Sequence, residues 1–274
     1  MCRLACLSPG TKRNEALEIL SNMENGNTDG YGESFINKDG RFVIRKWGIS
    51  FSKVLKRKFA PLSHLPYNGW TIVHERAATH GSGEIKSNSH PFLIDNKFVG
   101  MHNGVLKNYE IFDSIFRNQG YKFSSMTDSE VAFRIFSIIG PKNFLRQMES
   151  SGVYVALNKN GSLDIVKTSG QLEFNINKNG SFLIASDLSY QDYPESVIAP
   201  EGLFRFNKDG YLIRYINEDG KSSKTFQKRN TLNFYNNASK LPVCYQSSEH
   251  WAERHSERIM PTGRGGYYLE HSMD

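Results

Sequence analysis

Apolar positions recur at helical spacing in only a few stretches of the chain. Over residues 12–23, Ala16, Leu17, Ile19, Leu20 and Met23 fall near i, i+3 and i+4, which predicts a short amphipathic helix broken by the polar run 25–32. Over 109–118, Ile111, Phe112, Ile115 and Phe116 share one helical face, and Gly120 supplies the stop. A third helix opens at Thr127, where Thr127 and Glu130 have capping-box spacing. It runs through Val131, Ile135, Ile138 and Ile139 to Gly140-Pro141, and a further helix is expected from Pro141 to about Met148.

Elsewhere the pattern is that of strands. Phe42-Val43-Ile44, Trp70-Thr71-Ile72-Val73, Phe92-Leu93-Ile94 and Phe98-Val99 are short β-rich runs, the last two flanking the hairpin-like Asp95-Asn96-Lys97. From Val153 onward strands alternate with Asn158-Lys159-Asn160-Gly161, Asn177-Lys178-Asn179-Gly180, Asn207-Lys208-Asp209-Gly210 and Asn217-Glu218-Asp219-Gly220, which supply the positive φ angles of tight turns. The segments between these turns share no period, so the chain is not a repeat array. Strands, then helices, then strands predict a sheet-rich α+β layer structure over residues 1–222. Residues 223–274 read as a C-terminal extension, partly irregular and rich in Ser, Asn and Gln. Glu249, Glu253 and Glu257 would repel one another on a helix there.

Composition narrows the classes. With 274 residues, 38% hydrophobic and 23% charged, the chain can bury a core. Its apolar runs stay far below the roughly 20 residues that a bilayer-spanning helix needs, so no membrane association is expected. The first ten residues lack the apolar stretch of a secretory signal, which predicts a cytoplasmic protein. The net charge of +6 is spread along the chain without a Lys/Arg stripe, so nucleic acid is not indicated as a partner. Three cysteines, Cys2, Cys6 and Cys244, cannot all pair, and their spacing to histidines does not suggest zinc.

Cys2 is the most suggestive position. Removal of Met1 would place a thiol and a free α-amine on one residue, with ordinary pKa values of about 8.5 and about 7.7–8.0, so that the amine can accept the thiol proton. A second-position cysteine alone is most often incidental. Three separated segments add to it: His74-Glu75-Arg76-Ala77-Ala78-Thr79-His80-Gly81 with Asn88-Ser89-His90-Pro91, then His102-Asn103-Gly104, then Thr127-Asp128-Ser129-Glu130. Taken singly, Arg76 at a strand end is more often an exposed charge, Asp128 an ordinary first-turn acid, and Asn103-Gly104 a type I′ turn. His80 and His90 fit satisfied core or turn histidines, and Asp29-Gly30-Tyr31-Gly32 fits a glycine-rich loop.

Together, in this order and spacing, these motifs and Ala185-Ser186-Asp187 resemble a class II glutamine amidotransferase domain of the N-terminal-nucleophile type, over roughly residues 2–215. The resemblance implies a four-layer αββα sandwich in which Cys2 starts a central strand. It implies that Cys2 attacks the side-chain amide carbon of glutamine with its own α-amine as base. Asn103 and the Gly104 N–H would hold the oxyanion, Arg76 the substrate α-carboxylate and Asp128 its α-ammonium, with Thr79 and His80 as further substrate-binding positions. No metal or organic cofactor is implied. Ala77 departs from the aromatic residue common after the arginine, and Arg3-Leu4 departs from the usual Gly-Ile, as in the smaller stand-alone branch.

The activity implied is a glutaminase that acts on glutamine and releases glutamate and ammonia for an acceptor or partner synthase; a synthase protein or a second copy of the chain, as a homo-oligomer, are the partners considered. Hydrolysis of another γ-glutamyl amide and a catalytically silent glutamine-binding or partner-docking module are the alternatives.

Overall fold

The computed structural model describes residues 2–24, 26–57, 59–78, 85–176, 181–188 and 196–217, and the backbone of 222–223, 260–261 and 267–268. In chain order the elements are β1 (Arg3–Leu7), α1 (Arg13–Met23), β2 (Gly30–Ile36), β3 (Phe42–Trp47), α2 (Phe51–Lys56), β4 (Thr71–Arg76), β5 (Phe92–Ile94), β6 (Phe98–Leu106), α3 (Tyr109–Asn118), α4 (Asp128–Gln147), β7 (Ser150–Asn158), β8 (Leu163–Lys167), β9 (Glu173–Ile176), β10 (Phe182–Ala185), β11 (Val197–Ile198), β12 (Gly202–Phe206), β13 (Leu212–Ile216), β14 (Ser222–Ser223), β15 (Met260–Pro261) and β16 (Tyr267–Tyr268). One sheet has the order β11-β9-β10-β1-β4-β2-β3, the second β14-β13-β12-β8-β7-β6-β5, and β15 pairs with β16. Every ladder is antiparallel.

The two sheets stack between two helical layers, and the side chains show it by their period of two. Leu4 and Cys6 of β1, Ile72 of β4 and Ile184 of β10 meet Val99, Met101, Val153, Val155 and Ile165 in the layer between the sheets. Their neighbours in sequence, Ala5, Leu7, Val73, Leu183 and Ala185, pack instead on Ala16, Ile19, Leu20, Phe51 and Val54 of α1 and α2. On the far side, Phe112, Phe116, Val131, Phe133, Phe136 and Phe144 of α3 and α4 cover Tyr154, Ala156 and Val166. Each fully buried apolar side chain contributes about 1.5–3 kcal/mol, so three such layers outweigh any local propensity. The arrangement is the expected αββα sandwich, and β1 is the fourth strand of its seven-stranded sheet.

Several local expectations change. The break over 25–32 is shorter, because β2 already begins at Gly30. A Cβ on Gly32 would lie 1.9 Å from the His90 carbonyl oxygen, so this glycine lets the segment around His90 lie directly on the strand. Thr127 and Glu130 form no capping box: Thr127 makes no side-chain cap bond, and the Glu130 carboxylate accepts instead from the Ser124 and Ser125 N–H groups and hydroxyls upstream. Helix α4 is interrupted at Gly140, with φ +76°, and resumes at Pro141 as expected. The six-residue α2, capped by the Ser50 hydroxyl accepting from Lys53 N–H, has no counterpart in the sequence reading.

The turns at Asp95-Asn96, with φ 49° and 54°, at Gly161 and at Gly210 take the positive φ their residues predict. Residues 177–180 and 218–220 lie outside the described residues. So does the extension beyond its short strands, including Cys244. Among the described residues no helix is long and apolar enough to cross a membrane.

Candidate active site

Three strands turn from apolar to polar at the same end of the layer between the sheets. Along that face β4 runs Ile72, His74, Arg76, β6 runs Val99, Met101, Asn103, and β1 runs back from Cys6 through Leu4 to Cys2, one residue ahead of the strand. The register Arg3↔Glu75 and Leu4↔His74 sets Cys2 beside the end of β4.

There the Cys2 thiol donates to the Ala77 carbonyl at 3.2 Å, and the Ala77 N–H faces the sulfur at 3.4 Å. Burial pushes the thiol pKa up, the Ala77 N–H and the Arg76 guanidinium pull it down, and Asp128 pushes it up again. A thiol left mostly protonated needs a base at the moment it attacks. Arg76 is 3% exposed at the end of β4, and burial lowers its pKa against the opposing pull of Cys2, Asp29 and Asp128. The turn after it is pinned twice by Asp29, whose N–H donates to the Arg76 carbonyl at 3.0 Å and whose carboxylate accepts the Ala78 N–H at 2.8 Å. The charges of Arg76 and Asp128 thus act on the Cys2 thiol in opposite directions.

Asp128 opens α4, is 3% exposed, and accepts the Leu106 N–H at 2.9 Å. That bond ties the start of the helix to the end of β6, two residues past Gly104. Asn103 and Gly104 are not a tight turn, as the dipeptide alone would favour, but part of β6, opposite Val153 and Gly152. The Gly152 N–H and C=O both bond toward Thr168 on the β8 side, so the Gly104–Gly152 pair exchanges no ladder bonds and the Gly104 N–H faces away from β7. A Cβ on Gly104 would stand 1.9 Å from the Ser151 carbonyl oxygen, at φ +156°, so no other residue fits.

Behind these groups lie three buried imidazoles. His74 and His90 lie with ring centroids 3.9 Å apart and planes tilted by 35°, His74 Nε2 meets the His102 carbonyl at 2.9 Å, and His102 stacks on Tyr154 at 4.1 Å. Burial holds His74 down at about 3, His102 at about 4, and His90 well below its ordinary value. His90 is therefore a neutral core support with no charge to offer. Thr79 and His80 lie outside the described residues. Asp29 and Ser186 are the site positions whose roles sequence reasoning missed. Both belong to recognised motifs, but only their hydrogen bonds reveal what they hold. Among the described residues no group of three or more His, Cys, Asp and Glu is placed to hold a metal ion.

No protein-family model matches the chain. It is similar to the glutamine–fructose-6-phosphate aminotransferase (isomerizing) of Fusobacterium nucleatum, 34% identical over 141 residues, half of this chain and 22% of that protein. It is similar also to that of Idiomarina loihiensis, 34% identical over 117 residues, 42% of this chain and 18% of that protein. The chain thus spans about a fifth of the length of the curated relatives it matches.

Among solved structures it superposes on the glutamine phosphoribosylpyrophosphate amidotransferase from B. subtilis with a TM-score of 0.58 at 17% identity, covering 82% of this chain and 49% of that one. A glutamine aminotransferase class-II domain protein from Silicibacter pomeroyi gives 0.51 at 13% identity, covering 76% and 96%. The fold is therefore the one these amidotransferase structures share.

Proposed function

We propose that this chain hydrolyses the side-chain amide of glutamine through Cys2. Residues 1–222 form the catalytic domain in this reading, and a cytoplasmic location suits its need for a reduced thiol. What supports it is that Cys2, Arg76 and Asp128 act electrostatically on one another at the polar end of the sandwich, while Asn103 bonds to Ser186, which is itself bonded to Leu4 of β1. An α-amino acid presents a carboxylate for the Arg76 fork and an ammonium for Asp128, which leaves its side-chain amide toward the sulfur. Thr79 and His80 join this pocket by the resemblance.

Once Met1 is removed, the Cys2 α-amine takes the thiol proton as sulfur bonds to the amide carbon. The C=O electron pair moves onto oxygen, where Asn103 Nδ2 and the Gly104 N–H receive it. Collapse breaks the C–N bond, the ammonium returns its proton to the leaving nitrogen, and ammonia departs. Water, deprotonated by the same amine, then cleaves the γ-glutamyl thioester to glutamate. In this reading the ammonia serves a synthase partner docked through residues 223–274.

The test is glutaminase activity measured together with the intact mass of the purified chain. The expected result is loss of Met1 and equal release of glutamate and ammonia. A fully active chain that retains Met1 overturns the mechanism, and a processed chain that binds glutamine without turnover points to the docking module instead. Capture of the same proteins by the full chain and by residues 1–222 counts against the extension as the docking element.

A further inference from the structure

We infer that Ser186 is a positioning residue that fixes the oxyanion donor Asn103 to the nucleophile strand. This rests on the glutaminase reading and gives that site a member with no role so far. Ser186 follows β10 and is fully buried. Its backbone N–H donates to the Leu4 carbonyl at 2.8 Å, and its hydroxyl oxygen accepts the Leu4 N–H at 3.0 Å. The same oxygen accepts Asn103 Nδ2 at 3.4 Å. Leu4 lies two residues from Cys2 on the same face of β1, whereas Asn103 stands on the facing sheet.

A hydroxyl oxygen has two lone pairs, and here one serves each sheet. A primary amide has two N–H bonds. Held by one of them, Asn103 has its second hydrogen in a fixed direction, which is what a preorganised oxyanion donor requires. A serine that only completed the end of the β1–β10 ladder would need the Leu4 bonds alone. The Asn103 contact crosses between sheets and has no part in that ladder. At 3.4 Å it is a long contact in the resting site, of the kind that shortens when charge develops on the substrate oxygen. Alanine at 186 strands two buried donors, the Leu4 N–H and the Asn103 amide, so the loss reaches both the strand and the donor.

The experiment compares Ser186→Ala, Ser186→Thr, Asn103→Ala and the Ser186→Ala/Asn103→Ala pair. Glutamine turnover, unfolding in urea, and the Asn103 side-chain amide resonance, assigned by its loss in Asn103→Asp, are read for each. Ser186→Ala is expected to lower kcat by about 10- to 100-fold with KM changed less than about threefold, because a misplaced donor costs transition-state rather than ground-state binding. Ser186→Thr, which keeps the hydroxyl, should recover most of this. In the Asn103→Ala background Ser186→Ala should add less than about twofold, since the two act as one unit. Ser186→Ala should also speed hydrogen exchange of the Asn103 amide.

A kcat within twofold of the parent, or a full additional loss in the double variant, overturns the role. Absence of ammonia release from the parent would end the glutaminase reading instead. The Asn103 amide then decides the inference by itself: unchanged exchange in Ser186→Ala removes it, and faster exchange sustains the tie between the sheets.

Discussion

Two thiols on one face of one strand make a controlled comparison. Cys2 and Cys6 stand about 13 Å apart along β1, at the polar and apolar ends of the same layer. Cys6 packs among Leu4, Ile72 and Ile184, and burial raises its pKa with no neighbouring charge or N–H to oppose it. Cys2 is raised by burial as well, but the Ala77 N–H and Arg76 work against that rise. The difference teaches that the electrostatic surroundings of each thiol are set by what ends the neighbouring strands. β4 offers Ile72 beside Cys6 and closes with Arg76 near Cys2, and β6 offers Met101 at depth and Asn103 at the mouth.

The sharpest way to break this comparison is to exchange sulfur for oxygen at each position. Cys2→Ser should lower glutamine hydrolysis by roughly 1000-fold or more, and Cys6→Ser should leave it within about threefold, both read as ammonia release. Loss of both activities alike would mean that the polar end is not the reaction centre.

Next in size, Asn103→Ala should slow kcat on the order of 100-fold with little change in KM, because in the proposed mechanism its donor acts on the transition state. A change in KM alone would place Asn103 among ground-state contacts.

The polar end should also show itself in stability against pH. His74, His90 and His102 stay neutral in the folded chain well below the point, about pH 6.5, at which they protonate when unfolded. The unfolded state then binds more protons, so their contribution is full above about pH 6.5 and is lost as pH falls, down to about 4 for His102 and about 3 for His74. A loss of about 1–2 kcal/mol per imidazole is expected by pH 5, measured as the urea midpoint, and His74→Phe should flatten that slope. A midpoint that does not move between pH 7 and pH 5 would contradict the burial of these rings.

The smallest effect belongs to the apolar end. Cys6→Ser puts a hydroxyl where no partner awaits it and should cost about 1–3 kcal/mol in denaturant unfolding.

The sequence made some of this legible and hid the rest for physical reasons. Helix α3 announces itself because it buries one stripe and exposes the other, α4 because apolar residues recur at helical spacing up to the Gly140-Pro141 break, and the Asn/Gly turns because few residues accept positive φ. β1 shows no alternation, since Arg3–Leu7 is covered by helices on one face and by a sheet on the other. In the site, Cys2, Arg76, Asn103 and Asp128 could be named from motif order. Ser186 and Asp29 could not be given roles, because their partners are Leu4 and Asn103 in one case and the Arg76–Ala78 turn in the other. Glu130 misled for the opposite reason: its spacing to Thr127 fits a helix cap, yet its carboxylate folds back on Ser124 and Ser125.

One pairing governs when the central sheet can close. Strand β1 is held on one edge by β4 and on the other by β10, through Ala5↔Ala185 and Cys6↔Ile184. Strand β1 therefore waits for β10, more than 170 residues further along the chain, before its second edge is closed, so the layer that holds Cys2 is completed only after both helical layers have been threaded.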